Sequence, residues 1–212
     1  MRVATFNVHH CQGRDGKVDV ERVAEVLRDT GAEVVALQEL DLALERTGFT
    51  NQAGELAAAT GLTVEFHSLL RRGDGRYGIA LAAYGRLDSE LIHLPRLAGE
   101  EPRGAVVGRW GDVTFVGTHL SRSRRARAAQ IEALAVLAGR VQPPVVLMGD
   151  LNQTAPGLRP LRDAGFRGPP QWAWTRAIDH ILVGPGLRIA SHQTFRTRAS
   201  DHPALAAEVV PG

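Results

Sequence analysis

Val145–Asn152 reads VVLMGDLN. Four apolar residues run into Gly149, Asp150, Leu151 and Asn152, so a buried strand ends by presenting a carboxylate and a carboxamide two residues apart. Side chains alternate along a strand, which predicts that Asp150 and Asn152 point the same way. An unpaired carboxylate is costly to bury, and a strand end opening on a polar cleft is a place where one is both held and used. Taken alone, the octapeptide reads more simply as a strand closed by an Asx turn. The rest of the chain decides between the two.

The same pattern recurs on both sides of this stretch. Arg2 to Val8 reads as a first strand with Asn7 near its end, and Glu33 to Glu39 (EVVALQE) as a second that ends in a carboxylate. Asp112 to Leu120 (DVTFVGTHL) ends on His119, and Ile178 to Val183 starts beside Asp179 and His180. Further strands are predicted at 62–66, 77–84, 91–94, 105–110, 187–195 and 204–210, with loops at 9–17 and at 71–76 (RRGDGR). Between them, Val20, Val23, Ala24 and Leu27 form the stripe of an amphipathic helix with Asp19 as N-cap and Gly31 as stop. Helices are also expected at 53–60, closed by Gly61, at 124–139 and at 158–165. Strand, polar end and helix in alternation predict an α/β domain whose sheets are covered by helices, with its site at the strand ends.

The 212 residues fit one domain spanning 1–212, large enough to bury a substantial core. No stretch approaches the run of about 20 apolar residues that a membrane helix needs, and MRVATFNVHH lacks the hydrophobic region of a signal peptide, so a cytoplasmic location without membrane insertion is expected. The lone Cys11 excludes an internal disulfide framework and a multi-cysteine zinc site. The net charge of +2 is carried almost wholly by arginine, Lys17 being the only lysine. Arginine's planar fork suits phosphate, and coding bias produces the same composition, so charge alone names no partner.

Asn7, Glu39, His119, Asp150, Asn152, Asp179, His180, Asp201 and His202 nearly all fall at the ends of apolar segments. Each alone has an ordinary structural use in a turn, a surface charge or a satisfied histidine. Together they are the inventory for binding a hard cation and for acid–base work. Oxygen donors without thiolate favour Mg²⁺ or Mn²⁺. The pairs Asp179-His180 and Asp201-His202 supply carboxylates able to orient and charge an imidazole.

TFNVHH (5–10), LQE (37–39), THL (118–120), GDLN (149–152), IDHI (178–181) and SDHP (200–203), in this order, resemble the endonuclease/exonuclease/phosphatase superfamily of DNase I-like nucleases, inositol polyphosphate phosphatases and neutral sphingomyelinases. The resemblance implies a four-layer α/β/β/α sandwich with two mixed central sheets flanked by helices. It implies that Asn7 and Glu39 bind Mg²⁺, with Asp201 a further acid near the metal. Asp150 would position or deprotonate the attacking water, with Asn152 orienting water or phosphate. His119 and His202 would contact the phosphoryl oxygens, and Asp179 would pair with His202. One departure stands out: where many members carry Gly-Asn-Ala-Leu followed by Ser-Arg, this chain has Gly78, Ile79, Ala80 and Leu81, then Ala82 and Ala83.

Candidates for gripping substrate are Arg76 with Tyr77, Arg124 and Arg125 in SRSRRAR (121–127), and Trp172. His9, His10 and Cys11 offer a separate metal site that has no matching partner nearby in the sequence. The resulting expectation is a Mg²⁺-dependent phosphodiesterase, nuclease-like in preference, acting on a phosphate ester, with nucleic acid as one such partner and no obligate protein partner. A phosphatase or a lipid or inositol headgroup phosphodiesterase is the alternative. An inactive nucleic-acid-binding module is disfavoured because every core position is filled.

Overall fold

The computed structural model describes residues 1–169 and 177–212. The first sheet holds β1 (Arg2–Asn7), β2 (Val34–Leu42), β3 (Thr63–Arg72), β4 (Gly75–Ala83), β10 (Leu187–Phe195) and β11 (Ala204–Pro211) in the order β10-β11-β1-β2-β4-β3. The second holds β5 (Asp88–His93), β6 (Gly104–Trp110), β7 (Val113–His119), β8 (Val145–Asp150) and β9 (Asp179–Val183) in sequence order. Helices α1 (Val20–Thr30) and α2 (Gln52–Thr60) cover the first sheet, and α3 (Arg124–Ala138) and α4 (Arg159–Asp163) the second.

Three apolar layers follow from the period-two alternation of strands buried on both faces. Val146 and Met148 of β8, with Phe115 of β7 beside them, face the other sheet, where Val3, Ala36, Ile79 and Leu81 meet them. Leu147 and Leu151 point the other way, into Ile131, Leu134, Leu158 and Leu161. On the far side, Phe6, Val35 and Leu37 pack under Val23, Leu27 and Leu56. The run VVLM is apolar at every position because each residue meets one layer or another. Leu147 is fully buried, so Leu147→Ala should cost about 3–4 kcal/mol, read as a lower denaturation midpoint at unchanged m. A loss under about 1 kcal/mol would mean that the layer is loosely packed.

Asp19 caps α1 by accepting from the Arg22 amide, and Gly31 closes it at φ 61°. Two sequence expectations are corrected. RRGDGR is not a loop but the tip of the β3–β4 hairpin, Arg72 pairing with Gly75 across a tight turn with Gly73 at φ 62°. Glu39 does not end its strand either: β2 runs on to Leu42, with a register shift between Gln38 and Leu40 that leaves Glu39 as a bulge.

Candidate active site

Strand register assembles the site. His119 of β7 pairs with Asp150 of β8, and Asp150 pairs with Asp179 of β9, so three candidate residues stand in one row across the end of the second sheet. From the first sheet, β1 delivers Asn7 opposite Gln38. Glu39 reaches the same cleft because the bulge holds it at φ 62°, a left-handed conformation uncommon for Glu. His202 arrives on the turn into β11, fixed where its amide donates to Ser200 Oγ, which in turn donates to the Asn7 carbonyl at 2.7 Å. Gly149 permits the approach of β7 to β8: a Cβ there would overlap the Thr118 carbonyl oxygen.

Asp150 is the hub. Its Oδ1 accepts from the Asn152 amide at 2.9 Å. Its Oδ2 accepts from Asn7 Nδ2 at 3.1 Å and faces His119 Nε2 at 3.5 Å and His202 Nε2 at 3.7 Å. Burial, with the charge of Asp179, raises its pKa to about 6 against the pull of His202 and its amide donors. Asn152 does not share a strand face with Asp150. The strand ends at Asp150, and Asn152 lies at φ 48° in an Asx turn with its carboxamide donating to the Leu120 carbonyl. The turn and the site coexist, since the turn anchors one carboxylate oxygen and leaves the other facing the cleft.

The two histidines are set oppositely. His119 is buried, and Arg103 lies 3.2 Å from its Nδ1 as a donor, which places the ring proton on Nε2 facing Asp150. Burial, then the charges of Arg103 and His202, push its pKa well below the usual imidazole range, so it is a neutral donor. At His202 burial pulls the same way. The hydrogen bond and charge of Asp179, 3.0 Å from Nδ1, outweigh it with help from Asp150 and Asp201, and the pKa stands at about 9.

Asn7 Nδ2 bridges the carboxylates of Glu39, at 3.0 Å, and Asp150. An amide donor held between two carboxylates marks a place suited to positive charge, and the carboxylate oxygens of Glu39 and Asp150 suit a hard cation. Asp150, Asp179 and His202 also cluster, with ligand atoms within 4.8 Å. His202 Nδ1 is already engaged by Asp179 there, so that trio reads as a hydrogen-bonded relay and the Glu39–Asn7–Asp150 set as the cation candidate.

The cleft, about 410 Å³, is lined by Glu39, His119, Asp150, Asn152 and His202 together with His9, Arg46, Arg72, Tyr77, Glu101, Arg103 and Arg122, while Asn7 and Asp179 stand behind them. Burial and the charge of Glu39 push the Tyr77 hydroxyl up, so it stays protonated. Asp201 lines the lip with its side chain 58% exposed, 3.8 Å from His9 Nδ1, and touches His9 and Ser200 rather than Glu39. Arg76 does not line the cleft: it alternates with Tyr77 along β4 and faces away. Arg124 and Arg125 lie exposed on the first turn of α3, outside the lining, because that helix turns Ala126, Gln130 and Ile131 inward. Trp172 and Trp174 lie outside the described residues. Sequence reasoning passed over Arg46 and Arg103, whereas Arg72 and Arg122 belong to the arginine clusters RRGDGR and SRSRRAR that the sequence offers, and it is these members rather than Arg76, Arg124 and Arg125 that line the cleft.

The family model described as Endonuclease/Exonuclease/phosphatase family matches residues 4–202. Among solved structures, an endonuclease/exonuclease/phosphatase from Beutenbergia cavernae is similar at TM-score 0.81 and 20% identity, over 100% of this chain and 72% of that one. A mannosyl-6-phosphatase from Bacteroides thetaiotaomicron is similar at TM-score 0.74 and 18% identity, over 99% of both chains. A 3'-5' exonuclease from Neisseria meningitidis is similar at TM-score 0.71 and 19% identity, over 98% of this chain and 99% of that one. No curated protein matches. With its strand-end residues gathered in one cleft and the family match running from the first strand to His202, the chain belongs to the Endonuclease/Exonuclease/phosphatase family.

Proposed function

We propose that this protein is a Mg²⁺-dependent phosphoesterase that hydrolyses a phosphodiester by in-line attack of water, with Mn²⁺ able to substitute. Membership of the family makes it a hydrolase of phosphoester bonds; the metal, the diester preference and the residue roles are our reading. The observation that carries it is Asp150, whose Oδ2 stands within 3.7 Å of both Nε2 atoms and 3.1 Å from the Asn7 amide.

A hard cation held by Glu39 and Asn7 would supply charge neutralisation at the phosphoryl oxygens. Asp150, ionised above about pH 6, accepts a proton from the attacking water and fixes its direction. His119 offers an Nε2–H to a phosphoryl oxygen without carrying charge. The His202 imidazolium, held by Asp179, donates to a second oxygen and has a proton to give the leaving group. Asn152 keeps Asp150 in register. Arg46, Arg72 and Arg122 in the lining, with buried Arg103 beneath them, exceed what one phosphoryl group needs, which favours a diester or another substrate with further anionic groups. A monoester of a compact anionic alcohol is the second reading, favoured by the absence of Arg124 and Arg125 from the cleft.

The test is a substrate panel in Mg²⁺, Mn²⁺ and EDTA: plasmid DNA, single-stranded DNA and RNA, a generic diester, a generic monoester, inositol phosphates and sphingomyelin. Turnover of diesters that EDTA abolishes supports the proposal, and exclusive turnover of monoesters selects the second reading. No turnover of any ester, with tight salt-sensitive DNA binding, would replace both with a binding module. In the same assay Glu39→Gln should raise the Mg²⁺ needed for half-maximal rate by about tenfold or more. An unchanged Mg²⁺ dependence would remove Glu39 from the cation site.

A further inference from the structure

Beside the catalytic cleft lies a second hollow of about 540 Å³, formed by the loop after β2 and the β3–β4 turn. Leu44, Arg46 and Arg72 line both, so the two are neighbours that share a wall. Its distinctive member is Phe49, 67% exposed, the most exposed large apolar side chain among the described residues. Its backbone sits at φ 62°, unfavourable for a bulky residue, and is held there by its amide donating to the Leu44 carbonyl at 2.9 Å. Two costs, an aromatic ring left in water and a left-handed backbone, are thus accepted next to the catalytic residues.

The hollow is mixed in charge, with Glu45 and Asp74 in its lining beside Arg46 and Arg72, and the two arginines stand on the side shared with the cleft. Asp41, fully buried, grips Arg46 through two bonds of 2.7 Å. Arg46 also stands 5.6 Å from the Tyr77 ring centroid, so it is held in place on the shared wall. Arg72 makes only a long exposed pair with Glu101 at 3.6 Å, which leaves its charge available.

We propose that this second hollow is the subsite for the alcohol side of the ester, and that it takes a planar aromatic ring, stacked on Phe49, while Arg72 balances the anionic group that joins the ring to the catalytic cleft. The inference rests on the phosphoester reading for the catalytic cleft and names the class of substrate: phosphate esters of ring-bearing alcohols, nucleosides or aryl alcohols. A base or ring stacked on an aromatic side chain gains enough to be measured in binding.

The test is calorimetric titration of the wild type, Phe49→Gly and Phe49→Trp with adenosine 5'-monophosphate, phenyl phosphate and ribose 5-phosphate. Phe49→Gly removes the ring and suits the positive φ, so a melt equal to or above wild type is expected. Either ring-bearing ligand should bind wild type about tenfold tighter than ribose 5-phosphate. Phe49→Gly should erase that advantage without changing ribose 5-phosphate affinity, and Phe49→Trp should keep it. An advantage confined to the nucleotide identifies a nucleobase, and one confined to phenyl phosphate an aryl group. Equal binding of ringed and ringless ligands by wild type, or an equal loss of both in Phe49→Gly, overturns the inference. The titrations are run in EDTA, where the proposed hydrolysis does not proceed, so failure of the hydrolytic reading in the panel is separate from failure here.

Discussion

Asp150→Asn should lower kcat/KM by about 10³-fold while making the metal-free protein more stable above neutral pH. The first effect is the loss of the proposed base. The second follows from the carboxyl's raised pKa of about 6. A carboxyl whose folded pKa stands above its unfolded value is favoured in its protonated form. Its contribution is therefore fullest below about pH 4 and is lost as pH rises through about 6. Asn carries no such penalty and keeps the contacts of Oδ1. In EDTA the variant should match wild type near pH 4 and exceed it by about 2–3 kcal/mol at pH 8. Denaturation at the two pH values checks this, and a variant less stable than wild type at pH 8 would show that Asp150 is a structural anchor. Opposite signs on activity and stability are what a strained functional group produces.

The second large effect concerns Asp179→Asn. The carboxylate of Asp179 lies 3.0 Å from His202 Nδ1 and is the main reason that imidazole titrates at about 9 despite burial. Without it, burial lowers the pKa toward or below neutral. The alkaline limb of kcat should then move from about 9 to below about 7, and kcat at pH 8 should fall about 10²-fold. Stability has its own sign. A raised imidazole contributes stability that is fully present below about pH 6.5 and lost as pH rises through about 9, so Asp179→Asn should be most destabilised at pH 6 and least at pH 10. A pH–rate profile with a matching His202 titration by NMR decides the matter. An unmoved limb would separate His202 protonation from the reaction.

Much of this molecule was readable before folding. The strand segments announce themselves because a strand buried on both faces must be apolar at consecutive positions, a local property of the chain. The polar residues that end them stand out against that background, and Asn7, Glu39, His119, Asp150, Asn152, Asp179, Asp201 and His202 all line or adjoin one cleft. Less legible was how each is aimed. Glu39 reads as the last residue of a strand, yet a bulge at φ 62° turns it into the cleft within a strand that continues to Leu42. Asp150 and Asn152 read as same-face neighbours, yet a turn separates them.

Composition, alternation and the order of the motifs determined by themselves that this is an α/β chain with polar residues gathered at its strand ends, because those signals are written over a few consecutive residues. Only the tertiary structure decided which cations matter. Arg103 meets His119 from 16 positions away, Arg46 is held at the wall by buried Asp41, and Arg72 rather than Arg76 lines the cleft. A long side chain reaches across strands, and its target is set by register and pleat, which hydrogen bonding between distant segments defines and no local stretch of sequence contains.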